Sequence, residues 1–319
     1  MTIKDFKYLS GIKPTGDLTL GNYLGVIKPA VDLGNENKSV LMFIADLHAY
    51  TTPEYSKNVK EHKEQLIGVF NVFGLDYFIQ SHIPEHNQVG YIMEFVAKDW
   101  ELRNQIQYKE KKGKDTRVSL LTYPALMAAD CIMYDIPNIL VGEDQMSHMY
   151  LTKDLVDRFN KEFGVDGLVM PNSVVGKFPK IKDLRDPTKK MSKSSGESGC
   201  IFLFDDPADA EDKIKKAVTD SENLVMYNEE TKPGISNLMQ IYSGLTGNSL
   251  QDIQDEYAYL PFPYGEFKKD VASAVKSFLI NFQSEFNRVN KGINLDLENE
   301  LREKAKQKTE EIFKYINLK

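Results

Sequence analysis

A chain of 319 residues, 41% of them hydrophobic and 27% charged, is long enough for two globular domains or for one large core with an appendage. Its 40 basic against 47 acidic residues give a net charge of −7, which argues against non-specific coating of nucleic acid but leaves room for a local basic patch, such as 109–114 or 213–216. Two distant cysteines, Cys131 and Cys200, support neither a disulfide scaffold nor a cysteine zinc site; with no targeting segment in sight and no run near the ~20 apolar residues of a membrane span, a reducing cytoplasm is the expected home.

In chain order, 8–12 predicts a short strand and 20–33 a helix that Pro29 should kink. Residues 39–45 form a continuous apolar run of buried-strand type, 58–73 a helix, 77–80 a short strand and 85–103 a helix. A buried helix over 124–134, a strand over 138–141 and an amphipathic helix over 147–163 follow. Strands alternating with helices imply an α/β fold with a Rossmann-like parallel sheet and helices on both faces. Past Ser194 the pattern turns helical, at 207–218, 234–245, 250–257, 267–290 and 295–316. The expected organisation is a Rossmann-like catalytic domain over 1–194 and an all-helical domain over 195–319, whose last helix is free to pack back on the first.

Ligands of open parallel sheets bind beyond the carboxyl ends of the strands. Three polar clusters follow predicted strands here: 13–22, Asp46-Leu47-His48 and Gly142-Glu143-Asp144-Gln145. In the first, Pro14 fixes the backbone, Gly16 permits a tight turn, Gly21 leaves room for a flat base or ribose, and Asn22 offers an amide donor near phosphate. Further on, 189–194 reads Lys-Lys-Met-Ser-Lys-Ser, in which Lys190 and Lys193 with two hydroxyls suit a polyphosphate. Rival nucleotide motifs fail: Gly11 and Gly16 have the spacing of a Walker loop, but Asp17 stands where Lys is needed, and no Gly-x-Gly-x-x-Gly follows a strand. No nucleophile elbow is present. Asp130, flanked by Ala129 and Cys131 in an apolar helix, is costly unless paired. It is either satisfied by a neighbouring backbone group or Lys, or it is a pocket carboxylate accepting the N–H of a substrate ring, with Leu9, Tyr123 and Met127 as walls. His48 alone reads as a core histidine, Met146 and Met149 as core-facing, and Cys131 as a small apolar residue.

The run 190–194 and the Thr19-Leu20-Gly21-Asn22 turn resemble the KMSKS and HIGH signatures of class I aminoacyl-tRNA synthetases. With 120–130, 141–145, 186–194, 217–221 and 232–238 included, most of the chain resembles the tryptophanyl branch. That resemblance implies ATP-dependent ligation of L-tryptophan to tRNA(Trp) through a tryptophanyl-adenylate, Mg²⁺ carried on the ATP phosphates, a homodimer, and an anticodon-reading surface on the helical domain. It implies that Lys190, Lys193 and Asn22 act in catalysis. ATP contacts map onto Lys13, Pro14, Thr15, Gly21, Asn22, Gly142, Glu143, Asp144, Ile181, Lys190, Met191, Ser192, Lys193 and Ser194. Asp130 would accept the indole N–H, with Leu9, His48, Tyr123, Met127, Val141 and Gln145 about the ring. Lys13 stands where many relatives carry Gln, Thr19 replaces the first His of the general motif, and the cysteine-ligated metal cluster of some relatives is absent. A tyrosine-specific relative would need a pocket wall other than Met127-Ala128-Ala129-Asp130 to hold a phenol.

Overall fold

A computed structural model describes residues 2–36, 39–54, 56–175, 180–192, 198–290 and 292–318. Five strands, β1 (Tyr8–Ile12), β2 (Val40–Ile44), β3 (Asp76–Ile79), β4 (Asn138–Val141) and β5 (Asn172–Val175), form one parallel sheet in the order β3-β2-β1-β4-β5. The parallel α/β expectation is met. β2, Val-Leu-Met-Phe-Ile, is buried at every position, as a central parallel strand covered on both faces should be. β1 runs in register with it from Tyr8↔Val40 to Ile12↔Ile44 and pairs on its other edge with β4 through Leu9↔Ile139. The strand order reverses between β1 and β4, so a crevice opens at their carboxyl ends. Gly11 is glycine because the Phe43 ring lies over it; a Cβ would stand 2.4 Å from the ring.

Two expectations needed revision here. The helix expected over 20–33 is α1 (Leu20–Asn22), a π-helical turn (Tyr23–Ile27) and α2 (Lys28–Asn35). Pro29 has no N–H and would crowd the carbonyl of Gly25, and the wider turn just before it absorbs that conflict. The helix expected over 85–103 is broken into α5 (Glu85–Val96) and α6 (Asp99–Arg103), because Ala97 and Lys98 are extended. β5 went unread: its Asn-Ser-Val-Val is half exposed at the sheet edge and lacks the apolar run that marked β2.

The remaining helices are α3 (Asp46–Ala49), α4 (Val59–Val72), α7 (Ile106–Lys111), α8 (Val118–Ile132), α9 (Met146–Phe163), α10 (Pro207–Lys215), α11 (Pro233–Thr246), α12 (Leu250–Tyr257), α13 (Pro263–Arg288) and α14 (Leu295–Tyr315). By contacts the chain divides into two compact units, one of Met1–Thr15, Val31–Gly176 and Lys291–Lys319, the other of Gly16–Ala30 and Lys177–Asn290. The division therefore falls elsewhere than after Ser194, and the turn of the first signature belongs with the helical unit.

In the sheet-bearing unit, α14 buries Leu297, Leu301, Ala305 and Ile312 in the same core as Leu9, Leu41 and Phe78. Its Glu298 meets His82 at 2.9 Å, and Lys304 and Lys308 each reach Asp135 at 2.6 Å. In the helical unit, Lys232 is 1% exposed and its ammonium is held by Glu222 at 2.7 Å, Asp220 at 3.1 Å and the Tyr264 hydroxyl at 3.3 Å. Such a buried cation is tolerable only because its donors are paired. Among the described residues no helix is long and apolar enough to cross a membrane.

Candidate active site

In the sheet-bearing unit, the apolar stripe of α8 carries Asp130 into the core, where it is 2% exposed. Its partners are neither the backbone nor a lysine. His48 Nε2 lies 2.8 Å from Oδ2, His86 Nδ1 lies 2.6 Å from Oδ1, and Gln80 Nε2 donates to both oxygens at 2.8 and 2.9 Å. A carboxylate only accepts, so the Gln80 nitrogen must face it, which leaves Gln80 Oε1 buried without a hydrogen bond. His86 Nε2 meets the Tyr134 hydroxyl at 2.7 Å. Burial pushes the Asp130 carboxyl up, but the hydrogen bonds and charges of His48 and His86 outweigh it and hold the group below its ordinary value. An anion is thus buried beyond the carboxyl ends of β2 and β3, where α3 supplies His48 and the turn after β3 supplies Gln80.

Beside it, the Tyr123 ring meets His48 edge-on at 5.9 Å. The Tyr123 hydroxyl donates to Gln107 Oε1 at 3.0 Å and lies 2.6 Å from His148 Nε2. If the hydroxyl proton goes to Gln107, His148 Nε2 must carry the proton of that contact, and its buried Nδ1 has no partner. Leu9 is buried on β1, whereas Met127 and Val141 are half-buried against the core. Gly142 caps the short 3₁₀ turn Glu143–Gln145, and a Cβ there would stand 2.6 Å from the Asp144 carboxylate. Gln145 donates to that carboxylate at 3.1 Å. Lys13 is exposed as a residue, yet loss of water around its ammonium and the Lys111 charge bring it down to about 8, against the pull of Asp144. Lys13, His48, Tyr123, Asp144 and His148 therefore share one electrostatic neighbourhood at the carboxyl ends of β1, β2 and β4.

Burial first, then the charges of Lys13 and His48, lower His148 to about 4, with Asp144 opposing. A histidine held below its unfolded value stays neutral in the fold while the unfolded chain takes up a proton. Its stabilising effect is complete above about pH 6.5 and drains away between there and about 4, amounting to roughly 2–4 kcal/mol. Urea denaturation across that window should show this loss in the native protein and a smaller one in His148→Gln; equal slopes would contradict it.

In the helical unit, Thr19 and Asn22 form a reciprocal cap. Asn22 Oδ1 accepts from Thr19 N and Oγ1, each at 3.0 Å, and Asn22 N donates to Thr19 Oγ1 at 3.1 Å. A backbone N–H fixes which end of the amide is oxygen, so Asn22 Nδ2 lies outside the box. Leu20 N donates to the Ile201 carbonyl and Leu203 N to the Leu18 carbonyl, both at 2.8 Å, fastening the start of α1. A Cβ on Gly21 would lie 3.5 Å from Ile181 and 3.7 Å from Met191, ordinary contact distances, so packing within the protein does not itself demand glycine. Lys182 pairs with Lys190 in an antiparallel bridge, and Lys190 is exposed. The unit thus brings Gly21, Ile181 and Met191 together. Lys193 and Ser194 lie outside the described residues.

Sequence reasoning missed His86, Gln80 and His148. Two left a legible trace: His86 falls in step with Val89, Gly90 and Met93 on the buried face of α5, and His148 with Thr152, Leu155 and Phe159 on that of α9. A histidine on an apolar stripe marks a buried polar contact without naming its partner. Gln80 left none. Among the described residues no cluster of His, Cys, Asp and Glu could hold a metal ion.

The profile of the family described as tRNA synthetases class I (W and Y) matches residues 1–280. The tryptophan–tRNA ligase of Bacillus subtilis is 42% identical over 286 residues, covering 87% of this chain and 86% of that protein. That of Oceanobacillus iheyensis is 40% identical, covering 90% and 89%. Among solved structures, the tryptophanyl-tRNA synthetase of Mycoplasma pneumoniae superposes with a TM-score of 0.83 at 32% identity, covering 97% of this chain and 96% of that one. The Campylobacter jejuni enzyme, complexed with ADP and tryptophan, gives 0.75 at 27% identity, covering 97% and 99%. The chain belongs to the class I tRNA synthetases for tryptophan and tyrosine, on the tryptophanyl side of that family.

Proposed function

We propose that this chain joins L-tryptophan to tRNA(Trp) at the expense of ATP. The tryptophan carboxylate attacks the α-phosphorus in line, the bond to the bridging β-phosphate oxygen breaks, and pyrophosphate leaves tryptophanyl-adenylate behind. A hydroxyl of the tRNA's 3′-terminal ribose then attacks the carbonyl carbon and releases AMP. No bond to the protein forms, so catalysis is positioning and charge stabilisation.

The observation that carries the choice of amino acid is the buried anion at Asp130 with its three donors. All of its acceptor positions are engaged, so for the indole N–H to reach it one donor must yield. His48, at 7% exposure against 0% for His86 and Gln80, is the one with room to turn aside. Leu9, Tyr123, Met127, Val141 and Gln145 would border the ring. The residues that match the family's ATP contacts are Lys13, Pro14, Thr15, Gly142, Glu143 and Asp144, together with Gly21, Asn22, Ile181 and the 190–194 run, and these would hold ATP. Asn22 Nδ2 would face phosphate, and Lys190 and Lys193 would neutralise the departing pyrophosphate. Mg²⁺ would ride on the phosphates, which need few protein ligands to hold it. The helical unit would carry the anticodon-reading surface.

A homodimer fits the half-exposed edge-to-face pair Tyr91 and Phe95, 5.2 Å apart on α5, and sedimentation equilibrium reads it directly. A cytoplasmic location, where tRNA and ATP are at hand, is checked by cell fractionation. The overall activity is tested by charging tRNA(Trp) transcript with labelled tryptophan: ATP-dependent charging is expected, and its absence in protein that binds ATP and tryptophan would count against the second step.

A further inference from the structure

The stem from which the 190–194 run departs is a short hairpin in the helical unit. Asp183 N donates to the Lys189 carbonyl at 3.0 Å and Met191 N to the Ile181 carbonyl at 2.9 Å. In an antiparallel pair the backbone groups of alternate residues point away from the partner strand. Those of Lys182 do, and they meet neither a third strand nor solvent. The Asn237 side chain takes both: Lys182 N donates to Oδ1 at 2.7 Å, and Nδ2 donates to the Lys182 carbonyl at 3.0 Å. A buried primary amide, 3% exposed, thus stands in for the missing neighbouring strand.

The platform behind it is rigid. Asn237 lies in the first turns of α11, whose entry is fixed by the buried Lys232 cluster and by Gly234, where a Cβ would stand 2.2 Å from the Val218 carbonyl oxygen. The hairpin's turn is closed independently. Asp183 Oδ1 accepts from Arg185 N at 2.7 Å and Asp186 N at 3.0 Å, and Gly199 makes room, since a Cβ there would stand 2.2 Å from Asp183 Oδ2. Among the described residues the Asn237 amide ties the outer edge of the stem at Lys182, the residue paired with Lys190, while Leu184 further along is held by the backbone of Gly199 and Val218.

We infer that Asn237 is a positioning residue for adenylate formation: its amide sets the hairpin that presents Lys190, Met191 and Ser192, and thereby the geometry in which the signature run meets the ATP phosphates. This rests on the proposal that residues 190–194 hold those phosphates. It acts through the stem and touches no substrate. Misplacing a catalytic group by about 1 Å can cost on the order of 100-fold in rate.

Two variants test it. Asn237→Ala removes both bonds, whereas Asn237→Asp keeps the acceptor for Lys182 N but turns a second oxygen toward the Lys182 carbonyl. Both, verified as folded by circular dichroism, are expected to lower kcat of tryptophan-dependent ATP–pyrophosphate exchange by about 10- to 100-fold while KM for tryptophan stays within about threefold. Peptide-resolved hydrogen exchange over 181–192 should quicken in both. Quickened exchange with unchanged kcat would make Asn237 structural only and overturn the inference, as would a rise in KM for tryptophan matching the loss in kcat. A wild-type protein with no tryptophan-dependent exchange would instead overturn the functional proposal, and the hydrogen-exchange result would still decide whether Asn237 holds the stem.

Discussion

Asp130→Ala is expected to lose tryptophan affinity by about 10- to 150-fold, the worth of one charge-assisted hydrogen bond, with ATP affinity nearly unchanged. It should also cost about 3–5 kcal/mol of stability, because His48, His86 and Gln80 are left with buried polar groups facing a void. The acid dependence should change with it. The folded carboxyl lies below its ordinary value, so its stabilising effect is full above the ordinary carboxylate range and is lost as pH falls through the folded value. Native protein should therefore lose stability on acidification where Asp130→Ala loses less. Calorimetric titration with tryptophan, alongside urea denaturation at several pH values, separates the two effects. Unchanged tryptophan affinity in folded Asp130→Ala would make the carboxylate purely structural, holding its three donors for the fold alone.

Lys193→Ala should slow adenylate formation by roughly 10²–10³-fold, the scale for removing one preorganised charge from a transition state. Negative charge on the leaving pyrophosphate grows only as the bond to the α-phosphorus breaks, so a lysine that meets it then binds the transition state better than ground-state ATP. On the proposed assignment tryptophan is bound by the network around Asp130, of which Lys193 is no part, so its affinity should hardly change. Rapid-quench measurement at saturating tryptophan and ATP isolates the chemical step. A loss confined to ATP affinity, with that step intact, would reduce Lys193 to a ground-state anchor.

Much of this molecule was legible in the sequence, and what escaped did so for identifiable reasons. β2 declares itself because a strand covered on both faces must be apolar throughout, while β5, half exposed, carries no such constraint. Pro29 announced a disturbance in its helix, but not that a π-helical turn would absorb it. The family was written in short polar runs at strand ends and in 190–194, where chemistry limits the residue types. Asp130 was conspicuous as a charge among alanines, yet its partners come from α3, α5 and the end of β3, 82, 44 and 50 residues away along the chain. Asn237 was harder still: a lone amide in an amphipathic helix gives no sign that it completes a hairpin 55 residues upstream. Local pattern reveals which positions are buried or charged, and only the fold supplies the pairings.

The central claim, that tryptophan is the amino acid activated, is tested most directly by ATP–pyrophosphate exchange run with each of the twenty amino acids. Exchange should depend on tryptophan, with tyrosine and phenylalanine at least ~10³-fold poorer in kcat/KM, because neither ring carries an N–H to take the place of the donor that must yield at Asp130. Comparable exchange with tyrosine, or none with tryptophan, would contradict it.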